Sequence, residues 1–362
     1  SVGRAGTGYL HDYTSQLTLV RTDITAESTV MPFTTSHIYN DAYAGQMFTE
    51  STNNHVIHTV NFASMTMGYG WKLSVQETVV PVTVGGELYY VYNDSDGTEH
   101  YFGMANNTYT DEDGLGLTLS VSGNQYTMTD KMDNQKIFVN GILYKIVDAN
   151  GNTVRMVYNG SGGMPMVNGS QLQKVERYLN GHLTESTAET LATFEYDNWG
   201  RLVTMIDLVG RETTFLYTGN QLTMVIYPDG STMQYTYTDN ILTSAYDGEA
   251  KYGVEYSLYT HSSSTSPDYN WKTVRYIREY YVGDYGKSYG QELEVENVFG
   301  IYTRYTDQGN DDSYYTQDDV VTTYCFDTEG RTTGVYSTNG NYDRIYGASS
   351  SGYTDADGTS GK

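Results

Sequence analysis

Apolar and polar residues alternate along this 362-residue chain over short stretches, which is the pattern of half-buried β-strands. Clear examples are residues 87–92, 118–121 and 233–237, and each is followed by Gly, Asn or Asp residues that favour turns. Residues 171–179 fit a helical period as well as a strand, and we assign them to a strand. The pattern predicts an all-β fold with almost no helix.

An aromatic-x-Tyr pair recurs about every 20 residues in the second half of the chain. The pairs begin at residues 194, 215, 235 and 254, which are 21, 20 and 19 residues apart. Leu202, Leu222 and Leu242 are also spaced by 20 residues. Repeat character extends, imperfectly, from about residue 148 to residue 336, because the spacing from Gly151 to Tyr158 matches that from Gly210 to Tyr217.

A turn motif, Asp-x-x-Gly-Arg, lies between these pairs at residues 197–201, 207–211 and 327–331, with a degenerate copy at 228–231. Asp accepts hydrogen bonds from nearby backbone N–H groups, and Gly adopts a positive φ. The two elements together predict repetitive antiparallel β-hairpins that carry an aromatic-x-Tyr pair on one face. The structural motif residues are Tyr196, Asp197, Gly200, Arg201, Gly210, Arg211, Tyr217, Asp229, Gly230, Tyr237, Asp327, Gly330 and Arg331.

The string Phe-Glu-Tyr-Asp-Asn-Trp-Gly-Arg-Leu at residues 194–202, with its recurrence, resembles the YD repeat of the rearrangement-hotspot (RHS) family. Segments 6–9, 37–40, 68–73 and 96–102 are similar to the region that precedes the repeats in cell-wall-associated bacterial members. The resemblance implies a secreted or cell-surface protein whose repeats form a spiralling, hollow β-shell. Some members of the family enclose a C-terminal toxin, and others act in adhesion.

The Asp-Pro-x-Gly signature of the family's self-cleaving core is missing from the sequence. The five prolines follow Met, Val, Met, Tyr and Ser, so there is no Asp-Pro pair. The repeats are also too few to close a full shell. We therefore expect a curved sheet or partial spiral whose edges are capped, or pair with the rest of a parent chain or another copy.

The amino-acid composition argues against several classes of function. The chain has 20 Lys and Arg against 44 Asp and Glu, a formal net charge of -24, which disfavours binding to nucleic acid or anionic membranes. The single cysteine, Cys325, cannot form an intrachain disulfide or a cysteine-based zinc site. No apolar run reaches the roughly 18 residues of a membrane-spanning helix. Direct membrane insertion is therefore not expected.

The sequence gives little evidence for a catalytic or metal-binding site. There is no local signature of a nucleophile, and His55 and His58 would point to opposite faces of a strand. Calcium is a possible cofactor at the acidic turns 93–97 and 111–114 and at Asp307, Asp311 and Asp312, but ordinary Asx turns are favoured. No cofactor or metal is otherwise expected.

The 38 tyrosines favour packing ladders across the strands. Less regular clusters are candidates for a recognition face, because exposed tyrosine rings bind sugars and proteins through both a ring face and a hydroxyl. The first cluster contains Tyr276, Tyr280, Tyr281, Tyr285 and Tyr289, and the second contains Tyr302, Tyr305, Tyr314 and Tyr315.

The sequence thus favours a non-catalytic shell or scaffold segment of a secreted or cell-surface bacterial protein, in a toxin-delivery or contact-dependent system. Its partners would be the rest of the parent chain, a cargo domain, or a cell-surface glycan or protein. A carbohydrate-binding or adhesion module is the first alternative, and a glycosidase-like enzyme is the second. The predicted regions are an N-terminal β region at 1–160, the repeat sheet at 161–346 and a flexible Gly/Ser tail at 347–362.

Overall fold

The computed structural model describes residues 6–45, 65–180, 187–248, 252–260, 272–283, 286–298, 300–308, 319–327, 331–339, 353–354 and 360–361. These residues form antiparallel β-strands with two short 3-10 turns, Asp41–Tyr43 and Ser161–Gly163. The predicted all-β fold of hairpins is confirmed, and the ambiguous segment 171–179 forms a strand, Leu172–Tyr178. Within the described ranges, no helix has the length and apolar character needed to cross a membrane.

The chain divides into two compact units. The first unit contains Leu19–Thr232 and Asp239–Ile241. The second contains Ser1–Thr18, Met233–Thr238 and Leu242–Lys362. The predicted region boundary at residue 160 lies inside the first unit.

The N-terminal sheet of the first unit is a small antiparallel layer. Its strands are β2 (Leu17–Ala26), β3 (Phe33–Asn40) and β4 (Trp71–Leu73), and β1 (Thr7–Leu10) belongs to the second unit. Asp23 joins two of these strands, because its carboxylate accepts the backbone N–H of His37 at 2.7 Å and contacts the His37 Nδ1 at 2.7 Å. Both side chains are fully buried.

A closed ring of eight strands follows. Its strands are β5 (Thr78–Val84), β6 (Glu87–Asn93), β7 (Glu99–Ala105), β8 (Thr108–Asp111), β9 (Thr118–Ser122), β10 (Gln125–Thr129), β11 (Gln135–Val139) and β12 (Ile142–Val147). Each pairs with the next, and Ile142 of β12 pairs with Thr78 of β5, which closes the ring.

Aromatic side chains fill the ring. The rings of Tyr92 and Phe138 lie 5.9 Å apart, and those of Tyr90 and Tyr126 lie 5.7 Å apart. β6 is not a neighbour of β10 or β11, so these contacts cross the interior. Aromatic contacts therefore join opposite sides of the ring at two points.

The repeat strands of the first unit continue from the ring as successive hairpins. They are β13 (Thr153–Tyr158), β14 (Leu172–Tyr178), β15 (Glu189–Tyr196), β16 (Leu202–Asp207), β17 (Glu212–Thr218) and β18 (Gln221–Ile226). Phe194 pairs with Met205, and Phe215 pairs with Val225. These side chains are buried, so the aromatic position of each repeat forms one apolar face.

Three of the repeat tyrosines lie at β-bulges. The register shifts immediately before Tyr158, Tyr196 and Tyr217, so the returning strand has one extra residue. Bulges increase the local twist of a sheet. The tyrosine hydroxyl also donates to a leucine carbonyl of the preceding strand. These bonds run from Tyr158 to Leu143 at 2.8 Å, from Tyr196 to Leu172 at 2.8 Å and from Tyr217 to Leu202 at 2.6 Å.

The segment 65–70, here called the strap, crosses the ends of two repeat hairpins. Thr66 N donates to Gly200 O at 3.0 Å, and Leu202 N donates to Thr66 O at 2.9 Å. Further along, Tyr69 N donates to Asn220 O at 2.8 Å. The strap thus holds two turns, the one before β16 at Gly200 and the one after β17 at Asn220. It lies more than 130 residues earlier in the chain than either turn.

The N-terminal sheet covers part of the repeat face. The His37 ring meets the Phe215 ring edge-on at 5.8 Å, and Arg21 Nε donates to the Tyr227 hydroxyl at 3.2 Å. The repeat strands therefore bury their aromatic side against the N-terminal sheet at this point.

The second unit is also a series of antiparallel strands. They are β19 (Thr232–Thr238), β20 (Ile241–Tyr246), β21 (Tyr252–Thr260), β22 (Lys272–Gly283), β23 (Gly286–Val298), β24 (Tyr302–Asp307), β25 (Val320–Phe326) and β26 (Thr332–Asn339), followed by the short pair β27 (Tyr353–Thr354) and β28 (Ser360–Gly361). The residues before β2 pack here. Asn297 Nδ2 donates to Tyr13 O at 3.0 Å, and the Tyr305 hydroxyl donates to Asp12 Oδ1 at 2.7 Å.

The strap generates a test with a matched control. Gly68 and Gly210 have nearly the same φ, +86° and +85°, but a Cβ at Gly68 would lie 2.5 Å from Asn220 O whereas one at Gly210 meets nothing within 4 Å. We expect Gly210→Ala to cost about 1–3 kcal/mol through left-handed backbone strain alone. We expect Gly68→Ala to cost about 1–3 kcal/mol more, because the strap must move. Denaturant unfolding of both variants measures the difference, and equal losses would show that the strap is not held against Asn220.

Candidate functional site

The repeat turn is a closed set of hydrogen bonds centred on one aspartate. In the turn 197–201, Asp197 N donates to Arg201 O at 2.9 Å and Gly200 N donates to Asp197 O at 3.0 Å. Asp197 Oδ1 accepts the backbone N–H groups of Trp199 and Arg201, at 2.9 and 3.0 Å. Its Oδ2 accepts Arg201 Nε at 2.7 Å. The carboxylate therefore uses both oxygens inside the turn.

The other predicted turns repeat this geometry. Asp207 Oδ1 accepts from the backbone of Arg211 at 2.9 Å and Oδ2 from its Nε at 2.6 Å. Asp327 accepts the same two groups of Arg331, at 3.0 and 2.8 Å. Gly200, Gly210 and Gly230 have φ values of 78°, 85° and 84°. In the degenerate turn, Asp229 accepts Ser231 N at 3.0 Å, and Gly330 lies outside the described residues.

Two further copies of this turn lie at residues 130–134, before the predicted repeat region, and at residues 148–152, where that region begins. In the turn 130–134, Asn134 Nδ2 donates to Asp130 Oδ2 at 2.8 Å, and in 148–152, Asn152 Nδ2 donates to Asp148 Oδ2 at 2.7 Å. Asn thus replaces the motif Arg. Asp133 replaces the motif Gly with φ 63°. Our motif required Gly-Arg and so missed the turn 130–134, although the spacing from Asp130 to Asn134 carried the signal.

The turn carboxylates are held in their ionised form. Burial alone would raise the pKa of the Asp197 carboxyl, but hydrogen bonds from the Arg201 backbone and guanidinium outweigh it, and its pKa is lowered from 3.8. The same causes lower the pKa of Asp207, with Arg211 as the partner. These residues therefore serve the turns as hydrogen-bond acceptors.

Arg201 also joins two turns. Its Nη1 donates to Gly219 O at 2.7 Å, in the next turn on the same edge of the sheet. The guanidinium lies 4.9 Å from the Trp199 ring centroid and 5.0 Å from that of Tyr217. Its side chain is 19 % exposed, against 64 % for Arg211. The motif arginine therefore differs between turns: Arg201 links its own turn to the next one, and Arg211 binds the aspartate of its own turn.

Another buried set of titratable groups in the first unit surrounds Lys72. Its amine is fully buried and donates to Asn93 Oδ1 at 3.2 Å and to the Asp94 carbonyl. Burial lowers the pKa of Lys72 to about 8. Nearby, Glu77 Oε2 accepts the Tyr92 hydroxyl at 2.6 Å and Lys136 Nζ at 2.6 Å. A lysine with this pKa could act as a nucleophile, but a solute cannot reach the amine in this conformation.

The acidic turn 93–97 is closed by its own chain. Asp94 Oδ1 accepts the backbone N–H groups of Asp96, Gly97 and Thr98, at 3.0, 3.1 and 3.0 Å. Asp94 Oδ2 lies 3.3 Å from His100 Nε2, whose Nδ1 lies 2.7 Å from Asp113 Oδ2. Among the described side chains, no group of three or more His, Cys, Asp or Glu is placed to hold a metal ion. Calcium at these turns stays a prediction.

The first tyrosine cluster is not a continuous surface. Tyr280 is 3 % exposed, stacks on Tyr246 at 6.1 Å and lies 3.2 Å from Ser244 Oγ, so this ring belongs to the core because its hydroxyl finds a buried partner. This corrects the expectation of an exposed ring. Tyr276 is half-buried, with the Arg278 guanidinium 5.4 Å from its ring centroid. Tyr285 and the side chains of Tyr281 and Tyr289 lie outside the described residues.

Some of the remaining predicted residues are at least partly buried, and others lie outside the described residues. Tyr302 is buried and donates to Glu296 Oε1 at 2.5 Å, and Tyr305 contacts the Tyr324 ring at 5.8 Å. Tyr237 is half-buried on β19. Candidates outside the described residues are His55, His58, Asp311, Asp312, Tyr314 and Tyr315.

Comparisons with known proteins return structures alone. No family model and no curated protein matches the chain. One solved structure, described as the crystal structure of TcdB2-TccC3, matches with 13 % identity and a TM-score of 0.29, over 92 % of this chain and 18 % of that one. A second, TcdB2-TccC3-TEV, matches with 10 % identity and a TM-score of 0.23, over 91 % and 22 %. The chain spans about a fifth of these chains, and its family resemblance rests on the repeat motif.

The two arginines give a matched prediction. Arg201→Gln should reduce the free energy of unfolding by about 1–3 kcal/mol, because it removes charge-assisted hydrogen bonds to Asp197 and Gly219. Arg211→Gln should cost less than about 1 kcal/mol, because the Arg211 side chain is 64 % exposed. Urea unfolding of both variants gives the comparison. Equal losses would contradict a turn-to-turn role for Arg201.

His100 gives a pH prediction. Burial lowers the pKa of His100, but hydrogen bonds and charge attraction from Asp94 and Asp113 outweigh it, so the pKa is raised from 6.5. A raised pKa in the folded state contributes stability below pH 6.5 that is lost as the pH rises through the folded value. His100→Gln should therefore lose stability at pH 5.5 and much less at pH 8.5, as read from urea midpoints. The same loss at both pH values would contradict a charged bridge.

Proposed function

We propose that this chain is a non-catalytic structural segment, a β-repeat scaffold rather than an enzyme. One observation carries the proposal: the polar groups of the repeat motif form hydrogen bonds within the protein itself. The Asp carboxylate binds its own turn, the motif Arg binds that carboxylate, and the Tyr hydroxyl binds a backbone carbonyl. Groups engaged in this way build a repeat and are poorly placed to act on a substrate.

The buried ionisable groups of the first unit support the same reading. The His37–Asp23 pair has the spacing of a catalytic base and its orienting acid, but it is fully buried between Trp71 and Phe215. Lys72 is equally enclosed. Neither group is reachable, so each is better explained as a polar contact that fixes the packing of the core.

We further propose that the scaffold belongs to an RHS/YD-type shell of a secreted or cell-surface bacterial protein, in a toxin-delivery or contact-dependent system. The repeat motif and its recurrence support this setting. The expected partners are the rest of the parent chain, a cargo domain, or a surface glycan or protein.

An adhesion module that binds carbohydrate is the second candidate, and Trp199 favours it. This ring is 75 % exposed at the tip of a repeat turn, and indole faces stack on sugars. The ring is also held by Arg201, at 4.9 Å from the guanidinium, which fixes its orientation.

A glycan-binding assay on the whole chain separates the two candidates. Polysaccharides and chromogenic glycosides are presented to the wild type, to Trp199→Ala and to a control, Val209→Ala, whose side chain is 68 % exposed at the neighbouring turn. The scaffold proposal expects no hydrolysis and no binding that depends on Trp199. Binding lost only in Trp199→Ala would favour adhesion, and product release would support the glycosidase alternative.

The complete reading frame of the parent gene tests the setting. Further repeats, an Asp-Pro-x-Gly core and a variable C-terminal region are expected for a toxin-delivery shell. Wall anchors and binding modules would instead favour adhesion.

A further inference from the structure

Lys72 and Asn93 meet in the interior of the first unit. Lys72 lies on β4 of the N-terminal sheet, and Asn93 is the last residue of β6 of the ring. Both residues are fully buried, and Lys72 Nζ lies 3.2 Å from Asn93 Oδ1. A primary amine and a carboxamide are thus held in contact between two sheets. No solute has to enter for these two groups to react with each other.

The environment of the Lys72 amine favours its nucleophilic form. A protonated lysine has no free electron pair, so only the neutral amine can attack a carbonyl carbon. Burial lowers the pKa of Lys72 to about 8, although the charges of nearby carboxylates act in the opposite direction. These carboxylates are Asp94, Glu77 and Asp96, and the positive charge of Lys136 adds a smaller lowering effect. Neutral Lys72 is therefore available close to neutral pH.

The carboxamide of Asn93 is held in one orientation. Its Nδ2 donates to the Tyr43 hydroxyl at 2.6 Å and to Gly97 O at 3.3 Å. Because a backbone carbonyl can only accept, the amide nitrogen faces Gly97 and the amide oxygen faces Lys72. A carbonyl bond is about 1.2 Å long, so the carbon that the amine would attack lies within about 4.4 Å of Lys72 Nζ. Reacting atoms need to be about 3–3.5 Å apart, and small side-chain motions cover the difference.

Enclosure favours a reaction between these two side chains over a reaction with water. Tyr43, which contacts the amide nitrogen, is 2 % exposed, and the two reacting residues are fully buried. A closed site of this kind keeps water from competing with the amine for the carbonyl carbon. Holding two groups in contact can also raise their effective concentration to about 10⁵ M or more, which a reaction as slow as the attack of an amine on an amide requires.

We propose that Lys72 and Asn93 form an intramolecular isopeptide bond within the folded chain. The neutral Lys72 amine attacks Asn93 Cγ, so that the Nζ–Cγ bond forms and the Cγ–Nδ2 bond breaks. Nζ loses one proton and Nδ2 gains one and leaves as ammonia, so the step needs no oxidant or other co-reactant. The Tyr43 hydroxyl, 2.6 Å from Nδ2, is placed to give its proton to the leaving nitrogen, and the proton from Nζ replaces it.

The bond joins the N-terminal sheet covalently to the ring. It links residue 72, which follows the strap, to residue 93 at the end of the second strand of the ring. The hydrogen bond between these residues thereby becomes a link that denaturants do not break. The inference concerns this pair alone, and its failure would leave the scaffold role unchanged.

Intact-mass measurement and peptide mapping of the whole purified chain test the bond. The wild type should be lighter than its sequence by one molecule of ammonia, and digestion should release a linked pair of peptides that contains Lys72 and Asn93. Lys72→Met keeps a long side chain without an amine and should have its full sequence mass. The matched control is Lys145→Met, which removes a half-buried lysine from β12 and should retain the mass loss and the linked peptides. Urea midpoints confirm that each variant is folded, and the wild-type peptide map does not depend on the variants.

Each outcome decides the proposal. Linked peptides that are present in the wild type and in Lys145→Met, and absent from Lys72→Met, support the bond. Three results would overturn it: a wild-type mass equal to the sequence mass, a mass loss that persists in Lys72→Met, or a loss of ammonia without linked peptides. The last result would indicate a cyclic imide at one of the Asn-Gly pairs, such as Asn140–Gly141, because an imide also releases ammonia but joins no second peptide.

Discussion

The rest of the architecture depends on the hydrogen bonds that the aspartate at the start of a repeat turn accepts from the backbone of that turn. A chain that reverses direction every few residues leaves backbone N–H groups without strand partners at every reversal, and buried or half-buried N–H groups are costly when unpaired. Asp197 and Asp207 each accept two of these groups and fix the Arg that follows. With the turns fixed in this way, the strands between them begin and end at regular positions, and the aromatic side chains align on one face.

The second constraint is the bulge at the repeat tyrosines Tyr158, Tyr196 and Tyr217. One extra residue in the returning strand displaces Tyr196 and Tyr217 so that each hydroxyl reaches the leucine carbonyl of the preceding strand. The hydroxyl bond and the bulge act together, because the bulge interrupts the ladder and the tyrosine spans the neighbouring strand. The repeat is therefore held by a side-chain bond at the one place where its backbone pairing is irregular.

The eight-stranded ring, the strap and the N-terminal sheet are the parts of the first unit that do not belong to the repeats. The strap hydrogen-bonds the ends of two hairpins, and the N-terminal sheet covers the repeat face around Phe215. These contacts put the buried Asp23–His37 pair and Lys72 in the core, where their polar atoms restrict the packing to one arrangement.

The sequence by itself determined the strand class, the hairpin turns and the face of the aromatic pair, because these depend on contacts between residues close along the chain. A period of two, an Asp at the turn and a Gly with positive φ are visible without any tertiary information. It could not reveal that Tyr280 is buried, or that residues 65–70 cross Gly200 and Asn220. Pairing between distant segments depends on which surfaces meet in three dimensions. That choice was decided only by the tertiary structure.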